Sequence, residues 1–419
     1  MIALILLAVF IAISLSYVIW YKLLKARAIK KISKLRPANS AKWSTSFLEE
    51  KRKHTDPLAD NVVATIIQKG ELTSVNHLFG LFVNDSDKLP DDAPREIIDY
   101  FAQTARLPDW ADKDLIALGQ QIYIRHGVWI SLLLSYKALP ECYACAKGAE
   151  VLFHTARLNE HHGSLNTYAR RIAETAQFVF YSMSPKGLST KGRGLRATQK
   201  VRLIHAIIRH YLKQKNWDSS KFDEPINQQD MAGTLMSFSA LVLEGMEQLG
   251  IKLERVEREA YFHTWRVVGH IVGLRDDLIP ESADDGLRLG HIILDNQLAE
   301  SDHSKVLMKS LLDFQDSISK PYFSSQGNIE MMRLMMGDKI SDILAVPAAD
   351  SRKVKKLGRK IKIIASIAEF LDHSLIFALV IQFISKIGLQ LMITRMTPSR
   401  IINFYLPKSL TQDWGVTKN

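Results

Sequence analysis

The stretch VRLIHAIIRHYL, residues 201–212, combines two arginines and two histidines with many apolar side chains. In a helix, Arg202, His205 and Arg209 occupy positions i, i+3 and i+7 and therefore share one face. The apolar residues around them are typical of a helix that is buried on nearly all sides. Buried charges are costly unless they are paired. Heme would satisfy all three side chains, because its iron binds an imidazole and its propionates pair with guanidinium groups.

The same stripe of polar residues has a second interpretation that needs no cofactor. Arg202 and Arg209 would then pair with buried acids, such as those around Asp230 or Glu257. His205 would be a core histidine whose ring forms hydrogen bonds with its neighbours. The spacing alone leaves both interpretations open.

A second polar pair precedes this helix. Arg171 and Thr175 lie at i and i+4 within ARRIAETAQFVF, residues 169–180, so a helix points both side chains in the same direction. The segment between the two helices, residues 182–194, reads SMSPKGLSTKGRG and is rich in glycine and serine. Its GxG fragment has no strand before it, so it does not indicate a dinucleotide site.

Glu/His pairs and one cysteine pair are the other candidates for metal ligands. The Glu/His pairs are spaced one residue longer than the Glu-x-x-His motif of di-iron bundles, and they are Glu150/His154, Glu259/His263 and Glu369/His373. Because i and i+4 share a helical face, a non-heme metalloenzyme is an alternative. Cys142 and Cys145 form a single CxxC without the second pair of ligands that a zinc site needs, and we interpret them as ordinary helix residues.

The elements that must position these residues are helices. Apolar residues recur with helical spacing through the middle of the chain, and alternating strand patterns are scarce. We expect an all-α, multi-helix bundle. Its helices are predicted near residues 61–80, 93–105, 112–138, 143–158, 165–182, 196–214, 227–249, 253–275, 284–299, 304–317 and 328–344.

The N-terminal segment is typical of a membrane anchor. Residues 2–20 carry no charge, and a helix of about 20 apolar residues can cross a bilayer. Seven basic residues and no acid follow at positions 22–36. We therefore predict a transmembrane anchor over residues 1–21, followed by a basic juxtamembrane segment and linker over residues 22–60. The positive-inside rule then predicts a single-pass membrane protein whose catalytic domain faces the cytoplasm.

Charge and apolarity also mark the C-terminal region. Residues 352–362 hold seven further basic residues and no acid, and an apolar segment follows to about residue 394. We predict a helical catalytic domain over residues 61–345. The remaining residues, 346–419, would lie on the membrane, span it or pack against the domain. The net charge of +11 is concentrated in the two basic blocks, so it does not indicate a nucleic-acid-binding surface.

Several segments, taken in order, resemble one known family. They are LPDWADKDLIALGQQIY (107–123), AEVLFHTARL (149–158), the two helices described above, EPINQQDMAGTLMSFS (224–239) and EREAYFHTWRVVGHIVGL (257–274). Together they resemble the catalytic domain shared by latex clearing proteins, which are bacterial rubber oxygenases, and by the membrane-bound fungal oxygenase of mycophenolic acid biosynthesis. The resemblance covers about residues 100–285 and depends on the order of the segments rather than on any single one.

This resemblance implies an all-α domain with a globin-like core around a b-type heme. His205 matches the family's proximal iron ligand, and Arg171 and Thr175 match residues of its heme pocket. Some rubber oxygenases carry a lysine immediately before this threonine, where the present chain has Glu174. Distal ligation by lysine is therefore not expected, and Glu174 is a candidate base if it faces the iron. Glu150 is another candidate acid.

We therefore expect a membrane-anchored, heme b-dependent oxygenase that uses molecular oxygen to oxidise or cleave a carbon–carbon double bond. Its substrate would be hydrophobic, such as an isoprenoid or an unsaturated lipid, and its other partners would be membrane lipids rather than nucleic acid. The expected site residues are Arg171, Glu174 and Thr175 for catalysis, and His205, Arg202 and Arg209 for the cofactor. One alternative is a heme protein for sensing or electron transfer, with two strong axial ligands and no substrate cavity. The other is the non-heme metalloenzyme.

Overall fold

Helices make up the regular structure of the described chain. The computed structural model describes residues 2–33, 42–68, 93–155, 165–320 and 323–372. Within these ranges there is no strand, and the one β-type contact is an isolated bridge between Cys145 and Leu298. The prediction of an all-α fold is confirmed.

The helices are numbered here in chain order. They are α1 (Ile2–Ile32), α2 (Thr45–Lys51), α3 (Pro57–Gln68), α4 (Arg95–Thr104), α5 (Lys113–Leu133), a π-helix (Leu134–Ala138), α6 (Leu139–Ala144), α7 (Ala146–His154), α8 (Leu165–Met183), α9 (Arg193–Gln214), α10 (Ser219–Phe222), α11 (Gln228–Phe238), α12 (Ala240–Gln248), α13 (Arg255–Ile271), a 3-10 turn (Asp276–Leu278), α14 (Ala283–Gln297), α15 (Asp302–Ser319), α16 (Ser325–Ile343) and α17 (Ser351–Asp372).

Several of the predicted helices are interrupted, among them those at 112–138 and 227–249. The segment predicted at 112–138 changes from α-helix to π-helix after Leu133, and α6 follows directly. Pro140 explains the change, because it has no N–H to donate to the carbonyl four residues earlier. The backbone instead forms the wider turn, with the N–H of Leu139 donating to the carbonyl of Leu134. The segment predicted at 227–249 breaks at Ser239, whose φ of −118° and ψ of −86° are not helical.

Close packing of α5 against α13 forms the centre of the fold. A Cβ atom at Gly119 would lie 2.3 Å from the carbonyl oxygen of Ala260 and 2.3 Å from Oγ1 of Thr264. Glycine at this position therefore lets the two helices approach each other. Trp265 is almost completely buried on α13 and extends this packing toward the interior of the bundle.

His126, on α5, gives this packing a pH dependence. Burial, together with the positive charge of the adjacent Arg125, lowers the pKa of His126 to about 3. The unfolded chain, with a histidine pKa of about 6.5, therefore binds more protons between these two values. We expect the free energy of unfolding to fall by about 1.4 kcal/mol per pH unit from this residue as pH drops from about 6 to 4.

Urea unfolding of the native chain and of His126→Phe at several pH values tests this expectation. Phenylalanine fills the same space but does not titrate, so the variant should show a shallower pH dependence over this range. Equal slopes in the two proteins would contradict the assignment.

The glycine-rich segment is a tight crossover between α8 and α9. A Cβ atom at Gly194 would lie 2.5 Å from Cα of Ser182, and one at Gly192 would lie 2.1 Å from the carbonyl oxygen of Gly187. The N–H of Leu195 donates to that same carbonyl at 2.9 Å. These glycines hold the end of α8 against the start of α9, so the segment is structural and it fixes how the two polar helices face each other.

The N-terminal helix α1 corrects the predicted membrane anchor. In the described part of the chain, no helix combines the length and the apolarity needed to cross a membrane. The predicted single-pass membrane localisation is therefore wrong. Leu24, Ala28 and Ile32 of α1 are buried in a cluster that also contains residues of α5 and α13.

The basic residues of α1 explain part of this difference. Lys25 pairs with Glu254 at 2.6 Å and with Glu257 at 3.2 Å, and Lys31 pairs with Asp112 at 3.0 Å. A basic block directly after an apolar segment predicts an anchor and its orientation, but these lysines are neutralised by acids from distant parts of the chain.

The described residues include only the first part of the predicted C-terminal region, up to residue 372. On α17, Ala365 is buried, and Leu357 and Ile361 pack against the core, while Ile363, Ile364 and Ile367 are exposed. The rest of the apolar region lies outside the described residues, as do residues 34–41 of the predicted segment at 22–60. The domain boundaries at 60/61 and 345/346 stay predictions.

Candidate functional site

A cavity of about 270 Å³ lies inside the helical bundle. Helices α6–α9 and α11–α14 contribute to its wall. Most of the lining is apolar, and the larger apolar side chains among it are Val151, Leu152, Phe178, Val201, Ile204, Ile208, Ile226, Met231, Leu235, Phe238, Leu241, Trp265, Val268, Val272, Ile293 and Leu294. A space of this kind suits a largely apolar ligand.

His205 faces this cavity from α9. Its Nδ1 is buried and has no hydrogen-bond partner among the described residues. Burial, together with the positive charges of Arg209 and Arg171, lowers the pKa of His205 to about 3. The ring is therefore neutral at physiological pH and has a lone pair available. A neutral imidazole is the form that binds a metal ion.

Arg171 and Thr175 reach the same cavity from α8, as their spacing predicted. The Nη1 of Arg171 donates to Oγ1 of Thr175 at 3.0 Å, and that hydroxyl donates to the carbonyl of Arg171 at 3.2 Å. These bonds fix the orientation of the guanidinium group. The structure thus brings together three of the six predicted site residues, His205, Arg171 and Thr175.

Arg202 and Arg209 are not among the residues that line the cavity, and their expected role as cofactor ligands stays a prediction. Arg202 forms a two-pronged ion pair with Asp56, from Nε at 2.6 Å and from Nη2 at 2.7 Å. Arg209 donates from Nε to Asp60 at 2.7 Å. Both arginines therefore join α9 to the start of α3. Their pairing with acids agrees with the second interpretation of the sequence. The acids are Asp56 and Asp60, however, and not those around Asp230 or Glu257.

The two acids proposed as bases also lie elsewhere. Glu174 is almost completely buried on α8 near Arg170, at 3.6 Å, and is not among the residues that line the cavity. Glu150 faces away from it and accepts a hydrogen bond from Nδ1 of His303 at 2.7 Å. On this geometry neither carboxylate is placed to act in the cavity.

The Glu/His pairs do not assemble a metal centre in the described ranges, where no group of three or more potential ligands forms a metal-binding cluster. Glu259 accepts the backbone N–H of Ala283 at 3.0 Å, and Nε2 of His263 accepts the backbone N–H of Asp112 at 2.9 Å. His373, the partner of Glu369, lies outside the described residues.

Further polar residues line the cavity that no sequence pattern placed in a functional site. Glu141, Cys142 and Cys145 line it from α6 and from the break before α7, and Asp230 lines it from α11. Both cysteines are free, and burial raises the pKa of the Cys142 thiol to about 11. Asp230 is held by Nη1 of Arg52 at 2.6 Å. The absence of a second pair of ligands argues against a zinc site at this CxxC. It does not predict whether the two cysteines line a cavity.

Comparison with known proteins assigns the chain to a family. A family model described as "ER-bound oxygenase mpaB/B'/Rubber oxygenase, catalytic domain" matches residues 130–363, more than half of the chain. The chain belongs to the mpaB/rubber oxygenase family. Because members of this mpaB/rubber oxygenase family are oxygenases, the chain is an oxidoreductase that uses oxygen.

Relatives of the mpaB/rubber oxygenase family agree with this assignment. The rubber oxygenase of Streptomyces sp. (strain K30) is 26% identical over 298 residues, which cover 70% of each chain. A solved structure of latex clearing protein in its closed state superimposes with a TM-score of 0.70 at 22% identity, covering 85% of this chain and 95% of that one. At this level of identity the superposition supports the shared fold.

Proposed function

We propose that the chain is a heme b-dependent oxygenase that oxidises or cleaves a carbon–carbon double bond of a hydrophobic substrate, such as an isoprenoid or an unsaturated lipid. The observation that carries the proposal is His205, a neutral imidazole on the wall of an apolar cavity, whose buried Nδ1 has no hydrogen-bond partner among the described residues. A buried ring nitrogen without a partner is costly, and a ligand that binds the imidazole would offset this cost.

The residues present fit a heme group. His205 would bind the iron, and Arg171, held by Thr175, would pair with a propionate. Bound heme would supply the oxygen chemistry, which side chains cannot provide by themselves. The apolar wall would bind the alkene and exclude water. Its aromatic part includes Trp265, whose ring centroid lies 5.3 Å from that of Phe238 and 6.3 Å from that of Phe178.

Two features favour an oxygenase over the sensing or electron-transfer alternative. That alternative predicts two strong axial ligands and no cavity, whereas His205 is the one histidine among the described residues that line this cavity. The name of the Streptomyces relative, rubber oxygenase, points to a hydrophobic polymer as that protein's substrate. The apolar lining supports a hydrophobic substrate for the present chain as well.

The visible absorption spectrum of the full chain, purified from cells supplied with heme, tests the proposal. We expect a Soret band and about one extractable heme per chain, because one histidine lines the cavity. The same preparation should consume oxygen when an isoprenoid alkene is added. Protein that is folded by circular dichroism but shows no Soret band would refute the heme assignment.

A further inference from the structure

A buried carboxylate that was not expected from the sequence faces the cavity. Glu141 is 3% exposed and lines the cavity from α6. Its Oε1 accepts a hydrogen bond from Nζ of Lys137 at 2.6 Å, while its Oε2 is buried and has no hydrogen-bond partner among the described residues. A carboxylate oxygen without a partner in a dry site is one that favours taking up a proton.

A continuous chain of polar contacts leads from Glu141 to the protein surface. Nζ of Lys137 also lies 3.0 Å from Oε2 of Glu244, and Nε2 of His291 lies 2.9 Å from the other oxygen of that carboxylate. The side chain of His291 is 46% exposed. These four residues belong to α6, the π-helix, α12 and α14, so the contacts cross from the cavity wall to solvent between the helices.

The charges of these four side chains allow one proton to move between them. Two carboxylates face one ammonium group, so the cluster carries an excess negative charge unless His291 or a carboxyl group is protonated. Burial raises the pKa of Glu141, and the hydrogen bond to Glu244 raises the pKa of His291. Burial would raise the pKa of Glu244, but its contacts with His291 and Lys137 lower it to about 2. The exchangeable proton is thus stable at the two ends, on Glu141 or His291, and not in the middle.

The remaining titratable neighbours do not compete for this proton. The thiols of Cys142 and Cys145, which lie on the same wall, have pKa values raised by burial and stay neutral. Asp230 is neutralised by Arg52. The backbone supports a functional assignment as well, because Lys137 lies in the π-helix, and single π-turns inside α-helices often mark functional sites.

We propose that Glu141, Lys137, Glu244 and His291 form a proton path between the cavity and solvent, with Glu141 as the group that exchanges protons inside the cavity. For inward transfer, the ammonium group of Lys137 gives a proton to Glu141, which leaves a neutral amine. The imidazolium of His291 then protonates the carboxylate of Glu244, the carboxyl group passes this proton to the amine of Lys137, and the imidazole of His291 takes a proton from water. The net change is one proton moved from solvent to Glu141, with no electrons transferred, and the reverse sequence releases a proton.

The proposed proton path consists only of protein side chains, so it can be tested in protein without heme and without substrate. Infrared spectroscopy of the purified full chain should show a protonated carboxyl band that grows as pH falls and is absent in Glu141→Gln, whose side chain has nearly the same shape. After a rapid drop in pH, the band should appear at least about 10-fold more slowly in His291→Asn. Added imidazole should restore the rate, because it can deliver protons to Glu244 in place of the missing side chain.

His54→Asn is the matched control. His54 is also a surface histidine in contact with a glutamate, Glu50, but this pair is not connected to the cavity. Its replacement should leave both the band and its rate unchanged. A band that persists in Glu141→Gln, or a rate in His291→Asn equal to that of the native chain, would overturn the proposal. Absence of a Soret band would refute the proposed oxygenase function but would leave this result unaffected.

Discussion

His205→Ala is expected to lose both the Soret band and oxygen consumption with an isoprenoid alkene. The variant removes the neutral imidazole that faces the cavity and leaves no other histidine in the described lining to replace it. Loss of a residue that only orients a metal ligand typically costs 10- to 100-fold, so loss of the ligand itself should lower the rate by more than about 100-fold. An oxygen electrode and an absorption spectrum on the same preparation measure the two effects.

His210→Ala is the matched control for this variant. His210 lies on the same helix, five residues further along, and contacts Nε2 of Gln214 at 2.9 Å rather than the cavity. It should keep native activity and a native spectrum. Imidazole added to His205→Ala should restore part of the Soret intensity by occupying the space of the lost ring. If His205→Ala retained an unchanged Soret band, heme would be bound through another ligand.

Helical periodicity predicted the part of the site that depends on local spacing. The i, i+4 relation of Arg171 and Thr175 was sufficient to place them together, and the apolar pattern of α9 was sufficient to bury His205. The same pattern grouped Arg202 and Arg209 with His205, although they turn away from the cavity. His205 lies between the apolar face and the arginines, so a small rotation of the helix decides which of them faces the cavity.

The remaining features depend on contacts between distant parts of the chain. Asp56 lies 146 residues before Arg202, and Asp60 lies 149 residues before Arg209, so no local pattern relates these partners. The prediction of a membrane anchor from the basic block after residue 21 was wrong for the same reason. Lysines of this block form ion pairs with acids far away in the sequence, such as Glu254. Glu141 gave no signal, because its role depends on Glu244 and His291 from two other helices.

Removal of one partner from the pair formed by Arg202 and Asp56 should be among the most destabilising single changes in the chain. The side chain of Asp56 is 4% exposed, and its two oxygens accept from Nε and Nη2 of Arg202. Arg202→Met keeps the length of the side chain but leaves a buried carboxylate without a partner. We expect a loss of about 3–5 kcal/mol in the free energy of unfolding, measured in urea. The exposed pair Arg95–Asp99 is a control, and Arg95→Met should cost less than about 0.5 kcal/mol.

The double variant Arg202→Met/Asp56→Asn distinguishes a structural arginine from a cofactor ligand. Removing the charge of Asp56 together with that of Arg202 should recover much of the lost stability, because no unpaired buried charge remains. If Arg202 acts only through Asp56, the recovered protein should also bind heme with a native Soret band. A double variant that is stable but binds no heme would instead place Arg202 at the cofactor, and would show that its pairing with Asp56 changes when heme is bound.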